Sequence, residues 1–163
     1  MSTELETIVF AGGGSKNPSL MMWPKPGEET NPTIVSRFNQ GYSVYALAVS
    51  PGASRIAAGT KAGLLQVHAL SDFQVSENST PLFEVFHQPG IVSLAFCTDD
   101  ILASGGLNGK IKIWSVTQKR QLAEIQAHTN GVFALRRLGS LVLASIGGDN
   151  ILRIWDLDTL ETK

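Results

Sequence analysis

The chain has 163 residues, with 13 basic and 14 acidic side chains and a formal net charge of −1 at pH 7. This near-neutral charge gives no general attraction for nucleic-acid backbones or anionic membranes, and no apolar run approaches the ~20 residues of a membrane-spanning helix. The single cysteine, Cys97, excludes an internal disulfide framework and any multi-cysteine zinc site. We therefore expect a cytoplasmic protein, with the nucleus as the alternative, and neither a nucleic-acid nor a membrane partner.

The predicted elements are all strands, because no segment shows a helical period over three turns. Short, nearly continuous apolar runs are typical of strands that are buried on both faces of a sheet. In chain order, the clearest predicted strands are residues 33–38, 44–49, 82–86, 91–96, 101–104, 121–127, 132–135 and 141–145. The expected fold class is therefore all-β, with about four strands in each repeating unit.

The strands recur as an internal repeat. Residues 101–116 align without a gap with residues 142–157, so that Trp114 and Trp155 lie 41 residues apart. Two weaker copies cover residues 8–23 and 56–68. Four copies at nearly constant spacing indicate a repeat architecture.

The turns between the strands also recur. The pair Asn108-Gly109 lies between two apolar runs and predicts a two-residue type I′ hairpin, which needs positive φ at both central positions. Asp149 and Asn150 occupy the same place in the next copy. We predict that each copy carries a tight hairpin here.

A repeat of about 40 to 45 residues that ends in Ile-Trp-Asp, with a histidine upstream, resembles the WD40 family. The resemblance covers nearly the whole chain and implies a WD40-type β-propeller, present as a partial arc of four-stranded antiparallel blades. It implies roughly three and a half blades, with approximate bounds of 5–38, 42–86, 90–127 and, incomplete, 131–163.

The resemblance also implies a structural set of hydrogen-bonded side chains: a loop histidine, a second-strand Ser or Thr, a turn Asp and a third-strand Trp. The last copy matches this set at His128, Ser145, Asp149 and Trp155. The copy before it matches at His87, Ser104 and Trp114, with Asn108 in place of the aspartate. The second copy departs from the set, with Gln40, Ala58, Ala62 and His68, and the first keeps only Trp23.

No residue pattern predicts catalysis. The three histidines lie about one per copy and without a nearby cysteine, so no metal site is predicted. The glycine-rich run at 11–16 has the wrong spacing for a phosphate-binding loop and aligns with the hairpin turn of later copies. The pair Arg136-Arg137 is assigned to a solvated turn. We therefore predict no catalytic residue, no metal and no cofactor.

The predicted arc is too short to close, because propellers close with about four to eight blades. An open arc leaves an apolar sheet face of roughly 300 Å² bare at each end, and each bare face forgoes up to roughly 8 kcal/mol. We expect the remaining blades to come from a longer chain, a second chain or a second copy, with the first two favoured.

The predicted function is that of a non-catalytic protein-interaction scaffold or recognition domain. Its protein or peptide partner would bind the face formed by the loops between blades and the hairpin turns, because loops on a rigid scaffold concentrate binding residues. The candidate partner-binding residues are Tyr42, Lys61, Leu107, Asn130 and Asn150. The alternative hypothesis is a regulatory or sensor subunit that completes a propeller with another chain and controls an associated enzyme.

Overall fold

The computed structural model describes residues 43–70 and 80–163 in full, and residues 8–12, 19–23 and 33–37 as backbone strands. Every regular element within these ranges is a strand, and the strands form four antiparallel sheets. In the same ranges, no helix has the length and apolar character needed to cross a membrane. The predicted all-β fold class is confirmed.

Each sheet is a meander in which consecutive strands are hydrogen-bonded neighbours. The first sheet contains β1 (Ile8–Gly12), β2 (Ser19–Trp23) and β3 (Thr33–Arg37). The second contains β4 (Val44–Val49), β5 (Arg55–Thr60), β6 (Leu64–Ala69) and β7 (Phe83–Phe86). The third contains β8 (Ile91–Phe96), β9 (Ile101–Gly106), β10 (Lys110–Ser115) and β11 (Arg120–Gln126). The fourth contains β12 (Val132–Gly139), β13 (Val142–Gly147), β14 (Leu152–Asp156) and the two-residue β15 (Glu161–Thr162).

The sheets stack face to face and are the blades of a propeller arc. Their first strands are neighbours, since β4 contacts β8 and β8 contacts β12. One apolar core, which includes Leu65 and Leu102, lies between the second and third sheets. Another core, which includes Ile111 and Leu143, lies between the third and fourth. The third sheet is apolar on both faces, and for this reason β9 is an almost continuous buried run.

The hairpin between the second and third strands of each blade differs from the prediction. Gly109 has a φ of 77°, whereas Asn108 is not left-handed, and the Gly109 N–H donates to the Gly106 carbonyl at 3.2 Å. The loop therefore has three residues, and only its last residue is left-handed. Gly63, with a φ of 89°, and Asn150, with a φ of 60°, take the same position in the neighbouring blades. The type I′ prediction was wrong. The loop contains one residue more than a two-residue hairpin, and only its final position is left-handed.

The strand β12 is longer than predicted. It continues past Leu135 to Gly139, and Arg136 and Arg137 pair with Ala144 and Leu143 of β13. The assignment of these arginines to a solvated turn was wrong. The unpaired edge of this first strand faces the open inside of the arc. Charged side chains on the strand are therefore exposed to solvent, although the strand is paired along its other edge.

Candidate functional site

Four polar side chains form one hydrogen-bonded chain in the fourth blade. The Trp155 indole donates to Ser145 Oγ at 2.8 Å, and Ser145 Oγ lies 2.8 Å from His128 Nε2. His128 Nδ1 lies 2.8 Å from Asp149 Oδ1. Arg153 Nη1 also lies 2.7 Å from Nδ1, but it is a donor, so the carboxylate sets the tautomer: the serine hydroxyl donates to Nε2, and Nδ1–H donates to Asp149. The structure thus brings together all four residues of the set in this copy.

Asp149 connects this chain to the hairpin turn. Arg153 Nη1 donates to Asp149 Oδ2 at 2.8 Å, and the Ile151 N–H donates to Asp149 Oδ1 at 3.2 Å. Burial opposes the ionisation of Asp149, but the hydrogen bonds from His128 and Arg153 outweigh it and hold the pKa of the carboxyl well below its usual range. The carboxylate therefore ties the hairpin to the loop that precedes β12.

The third blade has only part of the set. Ser104 Oγ lies 2.8 Å from His87 Nδ1 and accepts from the Trp114 indole at 2.8 Å. Asn108 forms hydrogen bonds with the main chain. Its amide donates to the Gln88 carbonyl at 3.0 Å, and its oxygen accepts from the Lys110 N–H at 3.1 Å. Within the described part of the chain, His87 Nε2 is buried without a hydrogen-bond partner.

Burial shapes the chemistry of His87. Its side chain is fully enclosed, and desolvation, followed by the positive charge of Lys112, lowers the pKa of His87 to about 4 from 6.5. The imidazole is therefore neutral at physiological pH. A neutral histidine that is buried beside a serine and an indole has a packing role. A substrate in solvent cannot reach its ring.

The second blade replaces the set with local bonds. Ala58 is buried at the serine position, and Gln40 lies outside the described residues. Thr60 stands where the other blades have Gly106 and Gly147, and its hydroxyl bonds to both the N–H and the carbonyl of Leu64. A Cβ on Gly147 would come within 2.2 Å of His128 Cγ. Glycine at this position therefore makes room for the histidine ring, and Thr60 is compatible with a blade that lacks one.

Four of the five predicted partner-binding residues lie at one end of the blades, which we call the loop end. Lys61, Leu107, Asn130 and Asn150 are all exposed there, whereas Tyr42 lies outside the described residues. Main-chain bonds within a blade fix the loops, because the N–H of Leu107 donates to the Gly90 carbonyl at 3.0 Å. The loop end is thus a rigid surface.

A geometry that recurs from blade to blade at the loop end was missed from the sequence. The first strand of each of the three four-stranded blades bulges at the same place, and the bulged residues are Tyr45, Val92 and Phe133. Tyr45 is 52% exposed and Phe133 is 58% exposed. A bulge re-aims a side chain, so an apolar residue within an apparently buried run becomes a surface group. The sequence signal is the pair of apolar residues that follows Ser43, Gly90 and Gly131.

Phe133 is the centre of an apolar patch. Its ring lies close to Gly131 and Gly148, where added Cβ atoms would stand 2.9 and 3.2 Å from ring carbons. Leu107, which is 39% exposed, borders Gly131, and Asn130 borders Gly148. We call Leu107, Asn130 and Phe133 the loop-end patch.

The described residues offer little for other chemistry. No group of three or more His, Cys, Asp or Glu side chains among them is placed to hold a metal ion. Cys97 is buried, and burial raises the pKa of its thiol to about 11. Such a thiol is not poised as a nucleophile.

Two parts of the chain match a family model. Residues 80–115 and 119–156 match the model described as "WD domain, G-beta repeat". These two stretches contain the hydrogen-bonded side chains of the third and fourth blades.

Known proteins resemble the chain over nearly its whole length. The WD repeat and SOCS box-containing protein 1 of Takifugu rubripes is 33% identical over 94% of this chain and 40% of that protein. The kinesin-like protein KIF21A of Homo sapiens is 27% identical over 94% of this chain and 9% of that protein. The chain therefore spans less than half the length of these relatives.

Solved structures share the fold. A chain in the crystal structure of the mitotic checkpoint complex gives a TM-score of 0.81 at 22% identity, covering 96% of this chain and 47% of that chain. The computationally designed Ika4 protein gives a TM-score of 0.72 at 20% identity, covering 94% of this chain and 87% of that chain. At these identities the likeness shows the fold alone.

Proposed function

Because this chain belongs to the WD40-repeat family of β-propellers, we propose that it is a non-catalytic interaction domain whose loop-end patch binds a protein or peptide. WD40-repeat proteins generally serve as protein-interaction scaffolds, and their fold is generally non-catalytic. The observation that carries the proposal is the exposed aromatic ring of Phe133, which is held on a strand bulge between two glycines.

The patch has the composition of a binding hot spot. Aromatic anchors that are surrounded by smaller contacts supply most of the affinity at protein interfaces. Phe133 loses little freedom on binding, because its strand is already paired and its ring already lies against Gly131 and Gly148. The exposed side chains of Lys61 and Asn150 supply polar contacts at the same end.

The hydrogen-bonded set supports this role indirectly. His128 and Asp149 fix the hairpin beside the patch, so the loops keep their shape before a partner arrives. The names of two relatives point the same way, since one carries a SOCS box and another is a DDB1- and CUL4-associated factor. We propose that the partner of this chain is likewise a protein.

A peptide-display selection on the folded chain tests the proposal. The selected peptides should bind Phe133→Ala at least about tenfold more weakly, which corresponds to ~1.4 kcal/mol. Leu122→Ala is the matched control, because Leu122 is an exposed leucine on the outer strand β11 and should not affect binding. Equal affinity of the selected peptides for the wild type and for Phe133→Ala would refute the loop-end site.

A further inference from the structure

A cavity of about 360 Å³ opens on the inner side of the arc, where the first strands of three blades converge. Its wall consists of residues 47–49 and Pro51, residues 94–96, and residues 135–137. These residues occupy the middle and far parts of β4, β8 and β12, away from the strand starts that carry the loop-end patch. The cavity is therefore a second surface, separate from the one proposed above.

Two arginines supply the charge of this wall. Arg136 and Arg137 are both exposed, and neither forms an ion pair or hydrogen bond with a described residue. The hydrogen bond from the Gly52 N–H is the main cause that lowers the pKa of Asp99, and the charge of Arg137 adds only a small part. The carboxylate of Asp99 is already held by the Gly52 N–H at 2.8 Å. Both guanidinium groups keep their donors available.

The repeat itself gives no packing reason for these arginines. The fifth residue of the first strand is Ala48 in the second blade and Ala95 in the third, but Arg136 in the fourth. The sixth residue is Val49, then Phe96, then Arg137. Two blades fold with apolar residues at positions where the fourth carries two adjacent charges.

We propose that this cavity binds an acidic peptide segment. Arg136 and Arg137 are adjacent on β12 and point to opposite faces of the sheet, so separate carboxylates of the segment pair with them, each through the paired hydrogen bonds of a guanidinium group. A neighbouring apolar side chain of the segment contacts Val49, which is 43% exposed, because residues 94–96 are buried in the cores between the blades. The volume lies at the lower end of the ~300–1,000 Å³ of ligand pockets, as suits a few side chains.

The same observations argue against a nucleic acid as the occupant. Tight binding to a phosphate backbone uses about six to ten phosphate contacts. Here two cations line the wall, and the chain carries a net charge of −1. Asp99 and Asp100 stand in the loop that follows β8 and repel an extended polyanion.

Fluorescence anisotropy tests the proposal with a labelled peptide of alternating glutamate and leucine. A second peptide with glutamine in place of glutamate, and an oligonucleotide of equal charge, serve as comparisons. The 163-residue chain should bind the glutamate peptide best, with an affinity that falls as salt rises. The double variant Arg136→Ala and Arg137→Ala should bind it at least about tenfold more weakly.

The controls separate this site from instability and from the loop-end patch. Arg136→Ala alone installs the residue that β8 carries and should reduce affinity while leaving the thermal midpoint unchanged. Arg120→Ala removes an exposed arginine from the outer strand β11 and should bind like the wild type. Phe133→Ala should also bind the acidic peptide normally. Equal binding of the glutamine peptide, tighter binding of the oligonucleotide, or full affinity in the double variant would overturn the proposal.

Discussion

Ser145 is the side chain on which the polar set of the fourth blade depends. Its oxygen accepts from the Trp155 indole and its hydroxyl donates to His128, so one buried atom satisfies two partners. Buried polar groups that lose their partners keep their desolvation cost, whereas each made bond adds a smaller net gain. Removal of the Ser145 hydroxyl therefore lowers the free energy of unfolding more than the loss of either hydrogen bond alone.

We expect Ser145→Ala to lower the free energy of unfolding by on the order of 2–3 kcal/mol, because it leaves an indole N–H and an imidazole nitrogen unpaired. Urea unfolding measures the loss. Ser140→Ala, at an exposed serine in the turn before β13, should change stability by less than about 0.5 kcal/mol. A Ser145→Ala protein as stable as Ser140→Ala would contradict the structural role of the set.

His87 makes stability depend on pH. Its pKa is about 4 in the folded chain, against 6.5 for an ordinary histidine, so the unfolded chain binds a proton first as the pH falls. The contribution of His87 is present in full above about pH 6.5 and is lost progressively as the pH falls toward 4. At ~1.4 kcal/mol per pKa unit, the loss is on the order of 3 kcal/mol.

Urea titrations at several pH values between these limits, on the wild type and on His87→Gln, isolate the effect. The variant should lack this part of the acid destabilisation, while the titration of the carboxylates stays common to both proteins. Parallel stability curves for the two proteins between pH 6.5 and 4 would show that His87 is not the group responsible.

At the scale of elements, the hairpin of one blade supports the loop of the next. The left-handed Gly109 lies against the main chain of His128, and an added Cβ there would come within 2.0 Å of the His128 carbonyl oxygen. Gly63 stands in the same relation to His87, at 2.6 Å. Each glycine is therefore needed both for its backbone angle and for its size.

Gly109→Ala should destabilise the chain by more than about 2 kcal/mol, since it combines left-handed strain with a main-chain clash. Gly139→Ala is the matched control, because an added Cβ there meets only Val142 at 3.7 Å and φ is not left-handed. Thermal unfolding compares the two. Equal thermal midpoints for the two variants would mean that the loop of the next blade shifts to accommodate the methyl group, which would contradict the prediction.

The strands show which features the spacing of the sequence repeat can predict and which it cannot. The even recurrence of Trp114 and Trp155 was enough to predict the blades and the residues around Ser104 and Ser145. The bulge at Phe133 could not be predicted from strand alternation, because one inserted residue changes the face that a side chain occupies. The predicted β12 was too short because the charged pair Arg136-Arg137, which lies on an edge strand, is typical of a solvated turn in the sequence.

At the scale of the whole molecule, the fourth blade has an apolar face that no described residue covers. Ala144 and Ile154 pair on this face, as do Ile146 and Leu152, and Leu152 is 59% exposed. The equivalent face of the third blade, which includes Ala103, is buried against the fourth. The prediction that further blades come from a longer chain, a second chain or a second copy stays open to experiment.

We expect the isolated 163-residue chain to be a monomer in light scattering and to bind an apolar dye through this face. Leu152→Lys should reduce dye fluorescence, whereas Leu122→Lys, at an exposed leucine on β11, should leave it unchanged. A stable dimer that excludes the dye would instead favour closure by a second copy.

The left-handed hairpin position has a consequence for how such a chain can be rearranged. The second and third blades carry glycine there, and each glycine accommodates the carbonyl of the following loop. The fourth blade carries Asn150 at the same left-handed position, so a side chain stands there in place of a glycine hydrogen. The repeats are therefore not interchangeable modules. A shuffled chain with the fourth blade ahead of the third would have to displace the incoming loop, whereas a duplicated third blade could follow itself without strain.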